Sequence, residues 1–327
     1  MASPTPIAAG ATVADLGEFG LVGEFVERFA QGPQVYVGPG DDAAVLRAPK
    51  GHVVVSTDLL VEGRHFRREW ASARDIGRRA AAQNISDINA MGGRATALTV
   101  GLALPRDLPA QWVLDLADGI AEEAALVGAS IVGGDLTAGS EVVIAVTVLG
   151  ECSVAPVLRS GARPGDVLAI AGRQGWAAAG LAVLARGFRS PRKLVEAHQR
   201  PEPPYDAGPA AAAAGATAMI DVSDGLVADV GHLAEDSGVT IDIDPTAFPL
   251  DEPLQAVGAA LGVDPMQFVL GGGEDHPLVA TFPSGTSLPD GFRVIGRVLD
   301  RDAGDPETPA VTVAGTAYEG VAGHTHF

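Results

Sequence analysis

Apolar residues recur along the chain in two patterns, one with the spacing of helices and one with the spacing of strands. Helical spacing predicts an amphipathic helix of about four turns that includes Phe19 and Phe29. It also predicts helices over 72–91, 110–127, 176–186, 226–236 and 254–261. Short β-branched runs predict strands over 34–37, 43–46, 52–57, 96–104, 130–132, 141–150, 167–171, 218–222, 239–243, 278–282, 293–299 and 310–313. Strands and helices that alternate in this way predict an α/β protein with mixed (α+β) sheets.

The length of the chain indicates two domains. A chain of 327 residues exceeds one typical domain and suits two of roughly 150 residues each. We expect residues 1–16 to form a disordered leader, since they lack the basic region and apolar core of a signal peptide. We expect an N-terminal domain over 17–151 and a C-terminal domain over 152–327. A Pro- and Arg-containing excursion, 190–209, has the composition of either a lid or a linker.

Composition and charge exclude several classes of protein. Hydrophobic residues make up 47% of the chain but aromatic residues only 5%, which favours cores built from small side chains. The formal net charge is −19, the opposite sign to the one that binding to a nucleic-acid backbone requires. No apolar run reaches the roughly 18 residues of a membrane helix. The single cysteine, Cys152, excludes an intrachain disulfide. We therefore expect a cytoplasmic protein without nucleic-acid or membrane partners.

Acidic residues recur at six places where an apolar segment ends beside Gly, Ser or Thr. One such residue is ordinarily a turn residue. This many carboxylates would repel one another unless cations lay among them, and oxygen ligands suit Mg²⁺. The pattern therefore indicates several Mg²⁺ ions that handle phosphates, with glycines that let backbone N–H groups approach the phosphate oxygens. The six places are Asp41/Asp42, Thr57/Asp58, Asp87, Asp135, Asp221/Ser223/Asp224 and Glu274/Asp275.

One of these places combines two hydroxyls with a carboxylate. Ser56, Thr57 and Asp58 directly follow a β-branched run, so we expect them at the C-terminal end of a strand. Three consecutive oxygen-bearing side chains suit Mg²⁺, although the same triplet is common in turns and helix caps. Seven residues on, His65 is placed to hold an anionic substrate group.

The commonest nucleotide and metal signatures are missing from the sequence. It contains no G-x-x-x-x-G-K-[ST] loop, no H-R-D catalytic loop and no G-x-G-x-x-G after a strand. It also lacks H-E-x-x-H, Cys/His metal spacings and the G-x-S-x-G turn of a serine nucleophile. ATP, if it binds, binds in a less common way.

Seven motifs, each short, follow one another between about residues 18 and 276. In this order they resemble the thiamine-monophosphate kinase family. That family belongs to an ATP-binding superfamily with aminoimidazole ribonucleotide synthetase, selenophosphate synthetase and a hydrogenase maturation factor. The motifs are Gly40-Asp41-Asp42-Ala43-Ala44, Ser56-Thr57-Asp58 with Gly63-x-His65-Phe66, Asn84-x-Ser86-Asp87, Gly133-Gly134-Asp135-x-Thr137, Arg159-Ser160-Gly161-Ala162-x-Pro164-Gly165-Asp166, Asp221-x-Ser223-Asp224-Gly225-Leu226 and Gly272-Gly273-Glu274-Asp275.

The resemblance implies a fold and a set of roles. It implies the two-domain aminoimidazole ribonucleotide synthetase-like fold, in which the N-terminal domain contributes to a barrel at a homodimer interface with ATP nearby. The implied Mg²⁺ ligands are Asp42, Ser56, Thr57, Asp58, Asp87, Asp135, Asp221 and Asp224. The implied ATP contacts are Gly134, Asp135, Arg159 and Ser223, and the implied contacts to thiamine monophosphate are His65 and Glu274.

Two positions depart from the family. His276 stands where members usually carry an aromatic residue, and Val321 stands about where they usually carry a Trp that holds the thiamine rings. Tyr318 or His324 could take over that contact.

The implied reaction is Mg²⁺-dependent transfer of the ATP γ-phosphate to thiamine monophosphate by direct in-line displacement. It involves no acid or base residue, and Asp58, Asp87 and Asp224 are the most critical side chains. Two alternatives stay open: a sister enzyme of the superfamily with another acceptor, and a non-catalytic nucleotide- or metal-binding relative.

Overall fold

The chain forms two compact units. The structure, a computed structural model, describes residues 10–37, 45–49, 51–301 and 309–323, without the side chains of residues 18, 19, 22, 37 and 45. One unit comprises Met1–Ile88 with Arg94–Glu151, and the other comprises Asn89–Gly93 with Cys152–Phe327. Each combines helices with a β-sheet. The predicted mixed α/β class is therefore confirmed.

The first unit is built on a four-stranded sheet. Its helices are α1 (Val13–Arg28), α2 (Ala73–Ala90) and α3 (Ala110–Val127). Its strands are β1 (Val35–Val37), β2 (Val45–Leu46), β3 (Val54–Val61), β4 (Gly93–Leu104), β5 (Ser130–Ala138) and β6 (Val143–Cys152). The strand order in the sheet is β3-β6-β4-β5, with β3 antiparallel to β6 and β4 parallel to β5. A separate antiparallel pair joins β1 and β2.

The two faces of the four-stranded sheet differ in exposure. On β6 the side chains of Ile144, Val146 and Val148 are buried, and they alternate with half-buried residues. On β3, by contrast, Val55 and Leu59 are 62% and 54% exposed. Because side chains of a strand alternate between faces, one face forms the core and the other leaves apolar side chains in solvent.

Helix α1 begins inside the segment that we expected to be a disordered leader. Thr12 Oγ1 accepts the Asp15 N–H at 3.3 Å, and Asp15 Oδ2 accepts the Thr12 N–H at 2.9 Å. This reciprocal capping box fixes the helix start at Val13. The backbone leaves helical geometry at Gly17, where φ is 67°. The apolar spacing predicted only the part of this helix that follows Gly17.

The second unit is built on a seven-stranded sheet of order β13-β12-β9-β11-β7-β10-β8. Its strands are β7 (Val167–Ala171), β8 (Ala218–Asp221), β9 (Val239–Ile243), β10 (Leu278–Phe282), β11 (Phe292–Asp300), β12 (Val311–Val313) and β13 (Thr316–Ala317). Its helices are α4 (Trp176–Ala185), α5 (Arg192–Gln199), α6 (Ala207–Ala213), α7 (Leu226–Ser237), α8 (Glu252–Leu261) and α9 (Met266–Leu270), with a 3₁₀ turn at Pro245–Ala247.

Strand β10 lies between β7 and β8 in this sheet. Strand β10 pairs antiparallel with both β7 and β8, and Leu278 lies opposite Ala171 and Asp221. Asp221 ends β8 and Leu278 begins β10, so the segment that follows Asp221 lies close to the segment that precedes Leu278.

The excursion over 190–209 is largely helical. It contains α5 and the start of α6. Leu194 and Val195 are buried, and a Cβ on Gly180 of α4 would lie 2.0 Å from the Leu194 carbonyl oxygen. Helix α5 therefore packs tightly on α4 as part of the unit, which an extended linker would not do.

Candidate functional site

Strand β3 separates the side chains of Ser56, Thr57 and Asp58. The three residues lie inside the strand rather than at its end, so the predicted position at the C-terminal end is wrong. Ser56 and Asp58 are half-buried, whereas Thr57 is exposed and its Oγ1 lies 2.8 Å from Thr147 Oγ1 of β6. A strand turns successive side chains to opposite faces. Ser56 and Asp58 therefore share a face that the Thr57 side chain does not.

Helix α2 completes an oxygen-rich group on that face. Ser56 Oγ donates a hydrogen bond to Asp87 Oδ2 at 2.5 Å. The Asp58 N–H donates to Asn84 Oδ1 at 3.0 Å, and Asn84 Nδ2 donates to the Ala80 carbonyl at 2.9 Å. Asn84 is fully buried, so its amide fixes β3 against the helix. The structure thus brings together three of the predicted metal ligands, Ser56, Asp58 and Asp87.

Gly134 and Asp135 lie on the opposite edge of the same sheet. Strand β5 continues to Ala138 instead of ending at residue 132, so both residues are paired with β4, Gly134 opposite Val100. A Cβ on Gly134 would lie 1.9 Å from the Val100 carbonyl oxygen, so strand packing alone requires a glycine. Strands β3 and β5 are three positions apart, or about 14 Å at the usual strand spacing. Asp135, which is exposed, is therefore not grouped with Asp58.

An apolar cavity borders the Gly134 edge. It measures about 80 Å³ and is lined by the 133–136 stretch of β5 together with side chains of α1 and its C-cap residue, of α3 and of β4. Phe25, Phe29 and Ile120 are among them. The edge that carries Asp135 thus offers apolar surface as well as a carboxylate.

His65 is held by the turn that follows β3. Its Nδ1 accepts the Val61 N–H at 2.9 Å, and the backbone N–H of His65 donates to the Val61 carbonyl at 2.9 Å. An accepting Nδ1 carries no proton, so a neutral ring carries its proton on Nε2. The ring is half-buried. A neutral His65 ring thus bears its donor on Nε2, and an N–H donor is the kind of group that contacts an anion.

In the second unit, a short loop links β8 to α7 and carries three predicted site residues. Asp221 ends β8, and Ser223 and Asp224 follow it. The Asp221 carboxylate is buried, with Oδ2 3.0 Å from His276 Nδ1. His276 thus contacts a predicted metal ligand.

Asp229 was missed by sequence reasoning and underlies this loop. Its Oδ2 accepts the backbone N–H groups of Ser223, Asp224 and Gly225 at 3.0, 3.0 and 3.1 Å. Burial raises the pKa of Asp229 to about 7, against the lowering effect of the Gly225 N–H. The available signal was an acidic residue in the first turn of a helix after Gly225, a common helix-start feature.

The turn with Glu274 locks onto the same loop. The Glu274 N–H donates to the Ser223 carbonyl at 2.9 Å, and Glu274 has a left-handed φ of 70°. A Cβ on Gly273 would lie 2.0 Å from the Ser223 carbonyl oxygen, so the approach requires glycine. Non-glycine residues persist in this conformation only where their surroundings enforce it, and such residues cluster at functional sites. The structure therefore brings Ser223, Asp224 and Glu274 together.

Asp275 anchors the turn from inside the unit. Its Oδ2 accepts the Ala177 N–H at 3.0 Å. Burial raises the pKa of the Asp275 carboxyl to about 6, and this N–H and the Arg173 guanidinium oppose the rise. Arg173 Nε lies 3.7 Å from Asp275 Oδ1, an ion-pair distance rather than a hydrogen bond.

Arg159 lies apart from the loop that carries Ser223. The Arg159 carbonyl accepts a hydrogen bond from Ser237 Oγ at 3.1 Å, and Ser237 is the last residue of α7. A helix of this length spans about 18 Å. The two predicted ATP contacts Arg159 and Ser223 therefore lie at opposite ends of α7, and the Arg159 side chain is exposed.

The C-terminal segment runs over the start of α7. The Ala228 N–H donates to the Ala322 carbonyl at 3.2 Å. Val321 is 78% exposed, and Tyr318 is half-buried with its pKa raised by burial and by the Asp264 carboxylate. His324 and Asp42 lie outside the described residues.

The oxygen donors fit Mg²⁺ that arrives with a nucleotide. Among the described residues, no three His, Cys, Asp or Glu side chains are grouped as a metal site. Mg²⁺ is usually bound by one or two carboxylates together with waters and substrate phosphates rather than by an all-protein cage. The groups Ser56/Asp58/Asp87 and Asp221/Asp224 match that donor chemistry.

In the part of the chain that the structure describes, no helix is long and apolar enough to cross a membrane.

Comparison with known proteins identifies similar sequences over most of the chain. Residues 40–152 match the family model of the AIR synthase related protein, N-terminal domain, and residues 163–276 match that of its C-terminal domain. The thiamine-monophosphate kinase of Mycobacterium tuberculosis is 49% identical over 318 residues, which are 97% of this chain and 93% of that protein. The enzyme of the same name from Corynebacterium glutamicum is 41% identical over 321 residues, 94% of this chain and 95% of that one.

Solved structures resemble the fold over nearly the whole chain. A structure of AaThiL complexed with AMPPCP and TMP has a TM-score of 0.78 and 31% identity, and covers 98% of this chain and 100% of that chain. Thiamine monophosphate kinase from Aquifex aeolicus has a TM-score of 0.76 and 31% identity, with 94% and 100% covered. A hydrogenase maturation protein HypE shares the fold, with a TM-score of 0.68, at 21% identity over 92% of this chain and 94% of that one.

Proposed function

This chain belongs to the thiamine-monophosphate kinase family, and from that premise we propose that it transfers the γ-phosphate of ATP to thiamine monophosphate, giving thiamine diphosphate and ADP. The observation that carries the proposal is the oxygen group of Ser56, Asp58 and Asp87, in which Ser56 donates a 2.5 Å hydrogen bond to Asp87 and Asn84 holds the Asp58 main chain. Such a group suits an Mg²⁺-bound nucleotide, the form in which ATP is used in phosphoryl transfer.

The acceptor itself explains why no catalytic base is proposed. A phosphate monoester has its second pKa near 6, so it is mostly dianionic at pH 7. It needs in-line alignment and charge neutralisation rather than deprotonation. His65, through its Nε2 proton, and Glu274, held by its bond to Ser223, are the proposed contacts to thiamine monophosphate, with Tyr318 or His324 in place of the family Trp.

The proposed ATP contacts are Gly134, Asp135, Arg159 and Ser223. Bound Mg²⁺ would neutralise the negative charge of the two phosphate groups, which otherwise repel each other. The residues proposed to hold several such ions are Asp42, Ser56, Thr57, Asp58, Asp87, Asp135, Asp221 and Asp224. For Thr57 we propose the main-chain oxygen, because its side chain points to the other face of β3. We propose a cytoplasmic location, where ATP is available as a co-substrate.

A product assay tests the proposal. Purified protein is incubated with Mg²⁺, ATP and thiamine monophosphate, and the products are separated by chromatography. We expect thiamine diphosphate and ADP in equal amounts, and no diphosphate when a chelator replaces Mg²⁺. If the ATP analogue AMPPCP binds but no diphosphate forms, the acceptor has changed, and other phosphorylated and carboxylated acceptors are tried. If neither substrate binds, the function is wrong.

We also propose a homodimer formed through the exposed face of the four-stranded sheet. Val53, Val55 and Leu59 are 50%, 62% and 54% exposed there. Neighbouring apolar side chains on the open face of a sheet are typical of an interaction surface. Light scattering should give twice the 33.2 kDa chain mass. Leu59→Glu should give the single-chain mass, whereas Leu126→Glu, at a 63% exposed position on α3, should not. A dimer that survives Leu59→Glu unchanged excludes this face.

A further inference from the structure

Asp229 is a buried carboxylate for which the proposed reaction has no role. Its residue is 3% exposed, and it lies in the first turn of α7. One oxygen, Oδ2, accepts three consecutive backbone N–H groups, those of residues 223–225. The Asp229 N–H in turn donates to the Gly225 carbonyl at 2.9 Å, the ordinary bond of a first helical turn.

These bonds determine what the loop can offer a ligand. Consecutive backbone N–H groups often form an anion-binding cradle. Here Asp229 occupies that cradle from within the protein. The Ser223 carbonyl is engaged as well, by the Glu274 N–H. The side chains of Ser223 and Asp224 are only partly buried, and their oxygen atoms suit a cation.

The same bonds connect the loop to the acceptor side. Ser223 donates its N–H to Asp229 and accepts the Glu274 N–H, so it is fixed from two directions. A shift of the loop would therefore move both the Asp224 carboxylate and the backbone of Glu274. This tie runs entirely within the second unit.

We propose that Asp229 is a positioning residue that shapes the 221–225 loop to hold metal-bound nucleotide and, through Ser223, sets the position of Glu274. The proposal rests on the proposed function for the identity of its ligands. The competing explanation is structural, because an acidic residue in the first turn stabilises the start of many helices. A decisive test must therefore measure ligand binding by folded protein.

Three variants separate the two explanations. Asp229→Ala removes the acceptor of all three N–H groups. Asp229→Asn keeps a side chain of similar shape with one acceptor oxygen. Asp236→Asn makes the same chemical change at an exposed position of the same helix and serves as the control. Hydrogen exchange of the amides of residues 223–225 should be about tenfold faster or more in Asp229→Ala, intermediate in Asp229→Asn and unchanged in the control.

Metal binding provides the readout that a structural role would not move. Calorimetric titration of Mn²⁺ in the presence of AMPPCP should show about 10- to 100-fold weaker binding for Asp229→Ala, the usual effect of removing a group that orients ligands. Asp229→Asn should recover part of the loss. In the assay, the Mg²⁺ concentration for half-maximal rate and the KM for thiamine monophosphate should both rise.

The outcomes discriminate clearly. If folded Asp229→Ala binds Mn²⁺ and AMPPCP as the wild type does, Asp229 has no positioning role. If that variant does not fold, Asp229→Asn decides: unchanged metal affinity overturns the proposal and weakened affinity supports it. A wild type that binds metal and nucleotide but forms no diphosphate refutes the proposed function alone, since the calorimetric comparison stands without turnover.

Discussion

The two units hold their site residues in different ways. In the first, Ser56, Asp58 and Asp87 project from a strand and a helix; the Ser56 hydroxyl bonds to Asp87, and Asn84 holds the main chain of Asp58. In the second, Asp224 and Glu274 lie on loops whose main chains are bonded to each other or to Asp229. The first arrangement depends on which face each side chain occupies. The second depends on the backbone path.

This difference shows when consecutive residues can direct their groups toward the same point. On β3, consecutive residues point apart, so Thr57 is separated from Ser56 and Asp58 although it lies between them. In the 221–225 loop, three consecutive N–H groups converge on one oxygen because the backbone curves around it. Periodicity therefore governs the first group and loop geometry governs the second.

The largest effect should come from Asp58→Asn. The change removes a charge from the β3–α2 group but keeps the size of the side chain. We expect turnover to fall by about 10³-fold, roughly 4 kcal/mol of transition-state stabilisation. Steady-state rates of diphosphate formation measure it, and far-UV circular dichroism checks the fold. Asp107→Asn, at an exposed position of the same unit, is the control. Near-normal activity of Asp58→Asn would remove this residue from the metal site.

A smaller effect should distinguish two adjacent hydroxyls. Ser56→Ala deletes the donor to Asp87, and we expect kcat/KM to fall by about 10- to 100-fold. Thr57→Val deletes a hydroxyl on the opposite face, and we expect kcat/KM to stay within about threefold, since any Thr57 ligand is its main-chain oxygen. If kcat/KM falls equally in both variants, the face of β3 on which a hydroxyl lies does not decide whether it belongs to the site.

The smallest effect concerns the buried carboxylate under the Glu274 turn. The pKa of Asp275 is raised to about 6 from 3.8, so between these values the folded state keeps a proton that the unfolded state has lost. The contribution of the Asp275 carboxyl to the free energy of unfolding therefore falls as pH rises from below 3.8 to above 6. The total fall is about 3 kcal/mol. About 1 kcal/mol of it falls between pH 5 and 7, a range above the pI of about 4.6.

Urea unfolding from pH 5 to 7 measures this contribution. The stability of Asp275→Asn relative to the wild type should rise by about 1 kcal/mol over that range. Asp290→Asn, at an exposed position, should show a constant difference. If the stability difference between Asp275→Asn and the wild type is also constant with pH, the Asp275 carboxylate is not a buried charge that destabilises the fold.

Much of the fold was predictable because apolar periodicity is a local signal. The strands Val167–Ala171, Val239–Ile243 and Leu278–Phe282 and the helix Ala110–Val127 have the predicted bounds. The continuation of β5 through Gly133 and Gly134 was not predictable, because glycines there read as a turn. Only pairing with β4, a tertiary contact, keeps that backbone extended.

The sequence motifs supply candidate site residues but not the way in which those residues are arranged. The grouping of Ser56 and Asp58 with Asp87 requires the packing of α2 on β3, which no spacing in the sequence specifies. The separation of Arg159 from Ser223 likewise depends on the Ser237 contact at the far end of α7. Asp229 sits at an ordinary helix start, so its three convergent donors become visible only in three dimensions.

The path of the C-terminal segment has a practical consequence for anyone handling the protein. The Ala322 carbonyl is bonded to α7, and a Cβ on Gly323 would lie 2.8 Å from the Asp224 carbonyl oxygen. An affinity tag or fluorescent fusion attached beyond Gly323 would thus be tethered within a few residues of Asp224, and a poly-histidine tag would hold chelating groups there. Tags for metal titrations and activity assays belong on the N-terminal side.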